Sequence, residues 1–334
     1  MSIAEVEQLS SVTLEFSNDD RLFHYTSTEG LYGILQSGML WATHFQFLND
    51  AQEFMRARQS LESFLARSLA PKIAALKVNK KVVFPATMSV AEIAAIQATN
   101  TTKIIYDVVL RLVDPFVFST YQCGRSDSRR FLHGDLQHWA TYGRNAGYAI
   151  QLDPKKLLSI IASETSTYVH GGVFCSAVEY IDDAQPPKSL QGEYETIAAV
   201  AGEMIENAAI GGARTPYLEA RVESTYLSFV RIIAFIKDNC FAHEHEGRIV
   251  FYRHKTIPVG RRNQDLHIAT KGALGVPYIR LFEGTLLGAN TPIERIIIGP
   301  HPENVRRRVA LESYLASRNL NIGVSESDLP YSPR

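Results

Sequence analysis

Hydrophobic and polar positions fall in segments whose period changes along the chain. Leu22-Phe23-His24-Tyr25 is short, apolar and aromatic and runs straight into polar residues, as a buried strand does when it ends at a site. Leu31, Ile34 and Leu35 follow at three- and four-residue spacing and predict a helix. Thr26 with Glu29 three residues on reads as its capping box, and Gly38 is placed to end it in the left-handed conformation. A second extended piece, Met39 to Thr43, returns the chain. Asp50 with Glu53 then forms another capping box, opening a helix with Phe54, Leu61, Leu65 and Leu69 along one face.

Further on, the pattern predicts a short helix capped by Ser89 with Glu92, a helix from Thr102 to Leu112, and a strand from Phe116 to Tyr121. Trp139 and Tyr142 share one face of a helical turn before the strand Tyr148 to Leu152, and Asp153-Pro154 opens another helix. Two long helices are expected at about Glu193 to Ala209 and Tyr217 to Lys237. Strands are expected over Gly172 to Tyr180, from Ile249, over Tyr278 to Phe282 and over Ile293 to Ile298, with a last helix from Pro302. Strands and helices intermixed in this way predict an α+β fold, a bent mixed sheet flanked by helices. One catalytic-type domain is expected over 21–320, with an extension at 1–20, an insertion at about 72–103 and a tail at 321–334.

Composition narrows the picture only slightly. The chain has 334 residues, 46% of them hydrophobic and 21% charged, with a formal net charge of −1. These values describe an ordinary globular protein whose bulk charge draws it to neither nucleic acid nor membrane, though a local basic groove stays open. Residues 1–18 lack a basic segment followed by an apolar core, and the apolar run from Lys103 to Tyr121 is interrupted by charges and Pro115, so neither a secretory leader nor a membrane span is expected. Three widely spaced cysteines suggest neither a disulfide framework nor a zinc site, and fit a reducing cytoplasm.

Three stretches carry candidate chemistry. Where the first strand meets a helix N-terminus, His24, Tyr25 and Thr26 are placed to grip a sugar or phosphate; the alternative is a core histidine and a simple cap. Trp139 and Tyr142 either stack on a planar ring or belong to the core. In an extended chain Glu244, Glu246 and Arg248 share one face, which suits a carboxylate base held ionised by an arginine. Flanking His243 and His245 leave a divalent metal as an alternative, and a plain Glu–Arg pair as another. Arg125, Arg129 and Arg130 read as solvated, as do Arg306 to Arg308, and Gly299-Pro300-His301 is a weak phosphate-loop signal.

Taken together, His24-Tyr25-Thr26, Gly38 to Trp41, Phe47 to Asp50 with Glu53, Trp139 with Tyr142-Gly143, Glu244-x-Glu246-x-Arg248 and Ile298-Gly299-Pro300 resemble the bacterial family known as domain of unknown function 2971, from about Arg21 to Glu303. The chain departs from that family at Gly247, where an aromatic residue is usual, and in the loop from Gln122 to Gly134. A more distant resemblance is to ADP-ribosyltransferases. It implies an NAD-consuming enzyme, a toxin or defence effector, that transfers ADP-ribose to a protein or nucleic acid without a metal. By that resemblance His24 holds the adenosine ribose, Tyr142 (or Tyr25 or Trp139) stacks on nicotinamide, Glu246 grips the nicotinamide ribose, and Glu244 activates the acceptor. Competing readings are a metal-dependent nuclease using Asp50, Glu53, Glu244 and Glu246, with Asn49 beside them, and a non-catalytic nucleotide-binding module.

Overall fold

The computed structural model describes residues 12–14, 16, 20–48, 53–79, 85, 87–124, 127–143, 147–182, 185–209, 216–255 and 262–330. In chain order the first half runs β1 (Val12–Leu14), β2 (Asp20–Thr26), α1 (Thr28–Ser37), β3 (Leu40–His44), α2 (Glu53–Val78), α3 (Val90–Leu112) and β4 (Val113–Gly124). Then come α4 (Ser128–His133), α5 (Leu136–Thr141), β5 (Tyr148–Leu152), α6 (Pro154–Thr167), β6 (His170–Ala177), β7 (Glu179–Ile181), α7 (Gln191–Ala209) and α8 (Pro216–Glu223). The last part holds α9 (Tyr226–Phe235), β8 (Ile236–Asp238), β9 (Glu246–His254), β10 (His267–Lys271), β11 (Leu274–Leu281), β12 (Ile293–Ile298), α10 (Asn304–Ser317) and β13 (Gly323–Glu326).

Eleven of the strands form one mixed sheet, as the α+β reading expects. Its path is β1-β6-β9-β4-β2-β5-β12-β13, with parallel pairs at both ends and antiparallel pairs between. Helices cover both faces. On β9, Val250 and Tyr252 pack under α2, α3, α7 and α9, while Ile249 and Phe251 pack with α1, α6 and α10. Alternating side chains thus enter two separate cores, so β9 reads as an unbroken apolar run rather than a half-polar one.

The centre of the sheet forks. On one edge of β4, Tyr121 to Gly124 pair with β2 and Phe116 and Val117 pair with β3. Phe118, Ser119 and Thr120 between them have no strand partner on that edge, although their other edge pairs throughout with β9. Helix α1 bridges the two arms. Its N-cap is Ser27, whose Oγ accepts the Gly30 N–H at 3.1 Å, rather than the expected Thr26. Thr26 is retained in the ladder opposite Tyr148, which moves the helix start one residue on. Gly38 ends α1 as expected, at φ 66°, its N–H donating to the Ile34 carbonyl at 2.8 Å.

Three other expectations are corrected. Within the stretch 72–103, residues 72–78 end α2 and residues 90–103 begin α3, and Ile73, Ile93, Ala94 and Ala98 there are buried in the helical core, so these two segments are layers of the fold. Ser89 and Glu92 do form a capping box, but the helix runs unbroken to Leu112. The single helix expected over Tyr217 to Lys237 is two helices followed by β8, which pairs in parallel with β7.

Candidate functional site

The fork opens into a cleft of about 450 Å³, continuous through shared walls with a neighbouring hollow of about 790 Å³. Ligand pockets are commonly about 300–1,000 Å³. His24 and Tyr25 from β2, Trp41 and Thr43 from β3, Tyr142, Lys237 and Glu244 border both. Ser119, Tyr121, Glu246 and Arg248 line the first, and Thr26 and Ser27 line the second.

His24 Nδ1 lies 3.1 Å from the Ser119 carbonyl, at the fork where β4 lacks a ladder partner. A carbonyl only accepts, so Nδ1 carries the proton and Nε2 is the acceptor of the neutral ring. Burial pushes the imidazole below its ordinary range despite that hydrogen bond, which keeps it neutral.

Glu246 and Arg248 lie on one face of β9, as expected from strand period. The guanidinium clasps the carboxylate with two hydrogen bonds, Nε to Oε1 at 2.8 Å and Nη2 to Oε2 at 2.9 Å. Its Nη1 donates to the Ala234 carbonyl at the end of α9 at 2.6 Å. Burial opposes ionisation of Glu246, but Arg248 and Lys237 outweigh it and bring the carboxyl down to about 2. Glu244 is not on the strand. It ends the turn Asn239–Glu244, after which His245 takes the left-handed conformation at φ 43°. The carboxylate reaches the cleft all the same, held by the Tyr142 hydroxyl at 3.0 Å and Lys237 Nζ at 2.8 Å.

Lys237 was hidden from sequence reasoning. Read as the last residue of a helix, it sits on β8 with 5% exposure, its Nζ 2.8 Å from Glu244 and 3.1 Å from Glu246 and over the Phe241 ring. Two cations therefore balance two carboxylates in the wall. Ser119 and Thr43 were missed as well; their only signal was a place in strands whose ends meet at the fork.

Other predicted residues lie elsewhere. Trp139 is fully buried, outside the cleft, its Nε1 donating to the His133 carbonyl at 3.0 Å. Tyr25 borders the cleft but its hydroxyl accepts the Asp135 N–H at 2.8 Å, which ties it to the start of α5. His243 and His245 are exposed. Gly299 makes no phosphate loop: its N–H donates to the Gly147 carbonyl at 2.9 Å, and Arg307, expected to be solvated, donates to both glycine carbonyls from beside Tyr148. At Gly247 the Phe16 ring stands 3.0 Å from where a Cβ would be, so an aromatic residue from elsewhere in the chain fills the space beside it. Asn49, Asp50 and Arg125 lie outside the described residues; Glu53 opens α2. Among the described residues no three His, Cys, Asp or Glu side chains cluster to hold a metal, and no helix is long and apolar enough to cross a membrane. Compared with known protein families, with curated proteins and with solved structures, the chain finds no match in any of the three.

Proposed function

We propose that the chain is an ADP-ribosyltransferase-like enzyme that consumes NAD and transfers ADP-ribose to a macromolecule, as toxins and defence effectors of that kind do. The observation that carries this reading is convergence. His24, Tyr142 and Glu246, more than a hundred positions apart in turn, border one cleft with Glu244.

Breaking the nicotinamide–ribose bond sends the bonding pair to nicotinamide and leaves an oxocarbenium-like C1′. Fixed negative charge beside that carbon lowers the barrier without reorganising. Glu246, ionised at neutral pH, supplies it. The acceptor's lone pair then bonds to C1′, and its proton passes to the Glu244 carboxylate. His24 Nε2 accepts from a ribose hydroxyl, and Tyr142, its hydroxyl tethered to Glu244, offers its ring to nicotinamide. Incubation with labelled NAD tests this. Wild type releases nicotinamide; Glu246→Gln lowers release by about a hundredfold or more. Tyr142→Ala raises KM for NAD, with melting temperature confirming that both variants fold. No release and no labelled acceptor from wild type would count decisively against it.

One observation favours a second reading, a nucleotide-binding module without turnover. Arg248 and Lys237 already make three hydrogen bonds to Glu246, which leaves little of its acceptor capacity for a sugar. Thermal stabilisation by nucleotide with no nicotinamide released would support it. The nuclease reading has no such support, because among the described residues no three His, Cys, Asp or Glu side chains cluster to hold a metal.

A further inference from the structure

Strands β3, β10 and β11 together hold not one aspartate or glutamate, in a chain with 35 of them. They pair as an antiparallel three-stranded arm, β10-β11-β3, hung from β4. On the face that borders the cleft, the registers set Lys271 opposite Leu274, His267 opposite Tyr278, and Trp41 opposite Arg280. Trp41 is 50% exposed and stacks on Tyr278 at 4.2 Å and 25°, while His267 lies against the other ring at 5.3 Å. Lys271 and Arg280 are exposed. From Leu274 to Arg280 the arm is roughly 20 Å long at about 3.4 Å per residue. Trp41 and Lys271 both reach the cleft.

An exposed indole held rigid from behind, with cations at both ends and no carboxylate on its strands, suits one kind of partner. Bases of a single strand stack on aromatic faces whatever their identity, and the phosphates between them seek positive charge. An apolar peptide would use the indole but gain nothing from Lys271 and Arg280. A duplex would satisfy the cations, but its bases are already stacked. We propose that this arm is a docking surface for single-stranded nucleic acid, with Trp41 stacking on a base and Lys271 and Arg280 holding the backbone. The surface leads into the cleft, yet binding needs no NAD, so this proposal and the transferase reading fail separately.

Only two tryptophans are present, and Trp139 is fully buried, so quenching reports on Trp41. The full chain is titrated at low salt with DNA and RNA single strands of about twelve nucleotides, reading intrinsic fluorescence and oligonucleotide anisotropy. The expected result is binding with quenching, weaker as salt rises. Trp41→Leu weakens it about tenfold and removes the quench, and Lys271→Glu with Arg280→Glu weakens it at least as much while lowering the salt slope. Exposure of all three side chains lets the variants fold, which circular dichroism verifies. No anisotropy change with either strand, equal affinity for duplex, or binding untouched by all three substitutions would each overturn the proposal; tight salt-independent binding of an apolar peptide instead would assign the arm to a protein partner.

Discussion

Lys237 is the residue on which the wall of the cleft depends. Its ammonium is the cation shared by Glu244 and Glu246, and removing one partner of a buried ion group leaves the others uncompensated. Lys237→Met is expected to destabilise the fold by about 3 kcal/mol, measured by urea denaturation. Combining it with Glu244→Gln recovers part of the loss, because the unbalanced carboxylate goes with it. Sequence could not point to this lysine. Ile232 to Lys237 is an apolar run ending in a cation, which reads as the end of a helix, and only the pairing with Glu179 to Ile181 draws the last residues into a strand. By contrast, Glu246 and Arg248 were legible, since strand period alone puts them on one face.

At the scale of elements, the contact between the α5–β5 turn and the end of β12 shows how close packing replaces a motif. A Cβ on Gly147 would stand 2.1 Å from the Thr26 carbonyl, and one on Gly299 would stand 2.9 Å from the Trp139 ring. Gly147→Ala is therefore expected to force β2 and β5 apart and lower the melting temperature by several degrees, about 2 kcal/mol or more. Gly299 resembles a phosphate-loop glycine because a glycine between a strand and a helix serves either purpose. What decides between them is Trp139, 160 residues before Gly299 in the chain, and no local pattern carries that contact. The strand–helix–glycine–strand order of β2, α1 and β3 was legible, because apolar spacing and the ending glycine are local, although the N-cap fell one residue on, at Ser27; the fork that order creates was not, since it needs β4.

Across the whole molecule, Glu164 gives the fold a dependence on pH. It is buried near the end of α6, accepting the Phe282 N–H at 3.0 Å and a hydrogen bond from Gln264, and ties that helix to the far end of β11. Burial raises its carboxyl to about 7, against those two hydrogen bonds, which favour the ionised form. In the unfolded chain the proton leaves near 4.5. Between the two values the folded state binds more protons, so stability is full below the unfolded value and declines as pH rises through about 7. The decline is of order 3 kcal/mol, and Glu164→Gln should flatten it; chemical denaturation from pH 4.5 to 8 measures both.

Helix α1 also sets a dimension. Both arms that bound the cleft are clamped to the same strand, β4, and the ten residues of α1 are the link that joins them. At about 1.5 Å per residue that link is a strut roughly 15 Å long. Inserting one residue into it would rotate everything beyond by about a hundred degrees, swinging Trp41 off Tyr278 while leaving β4 and β9 in register. The two arms that meet β4 four residues apart, at Tyr121 and Val117, are thus yoked through one short helix, and its register carries the placing of Trp41 beside the hollow.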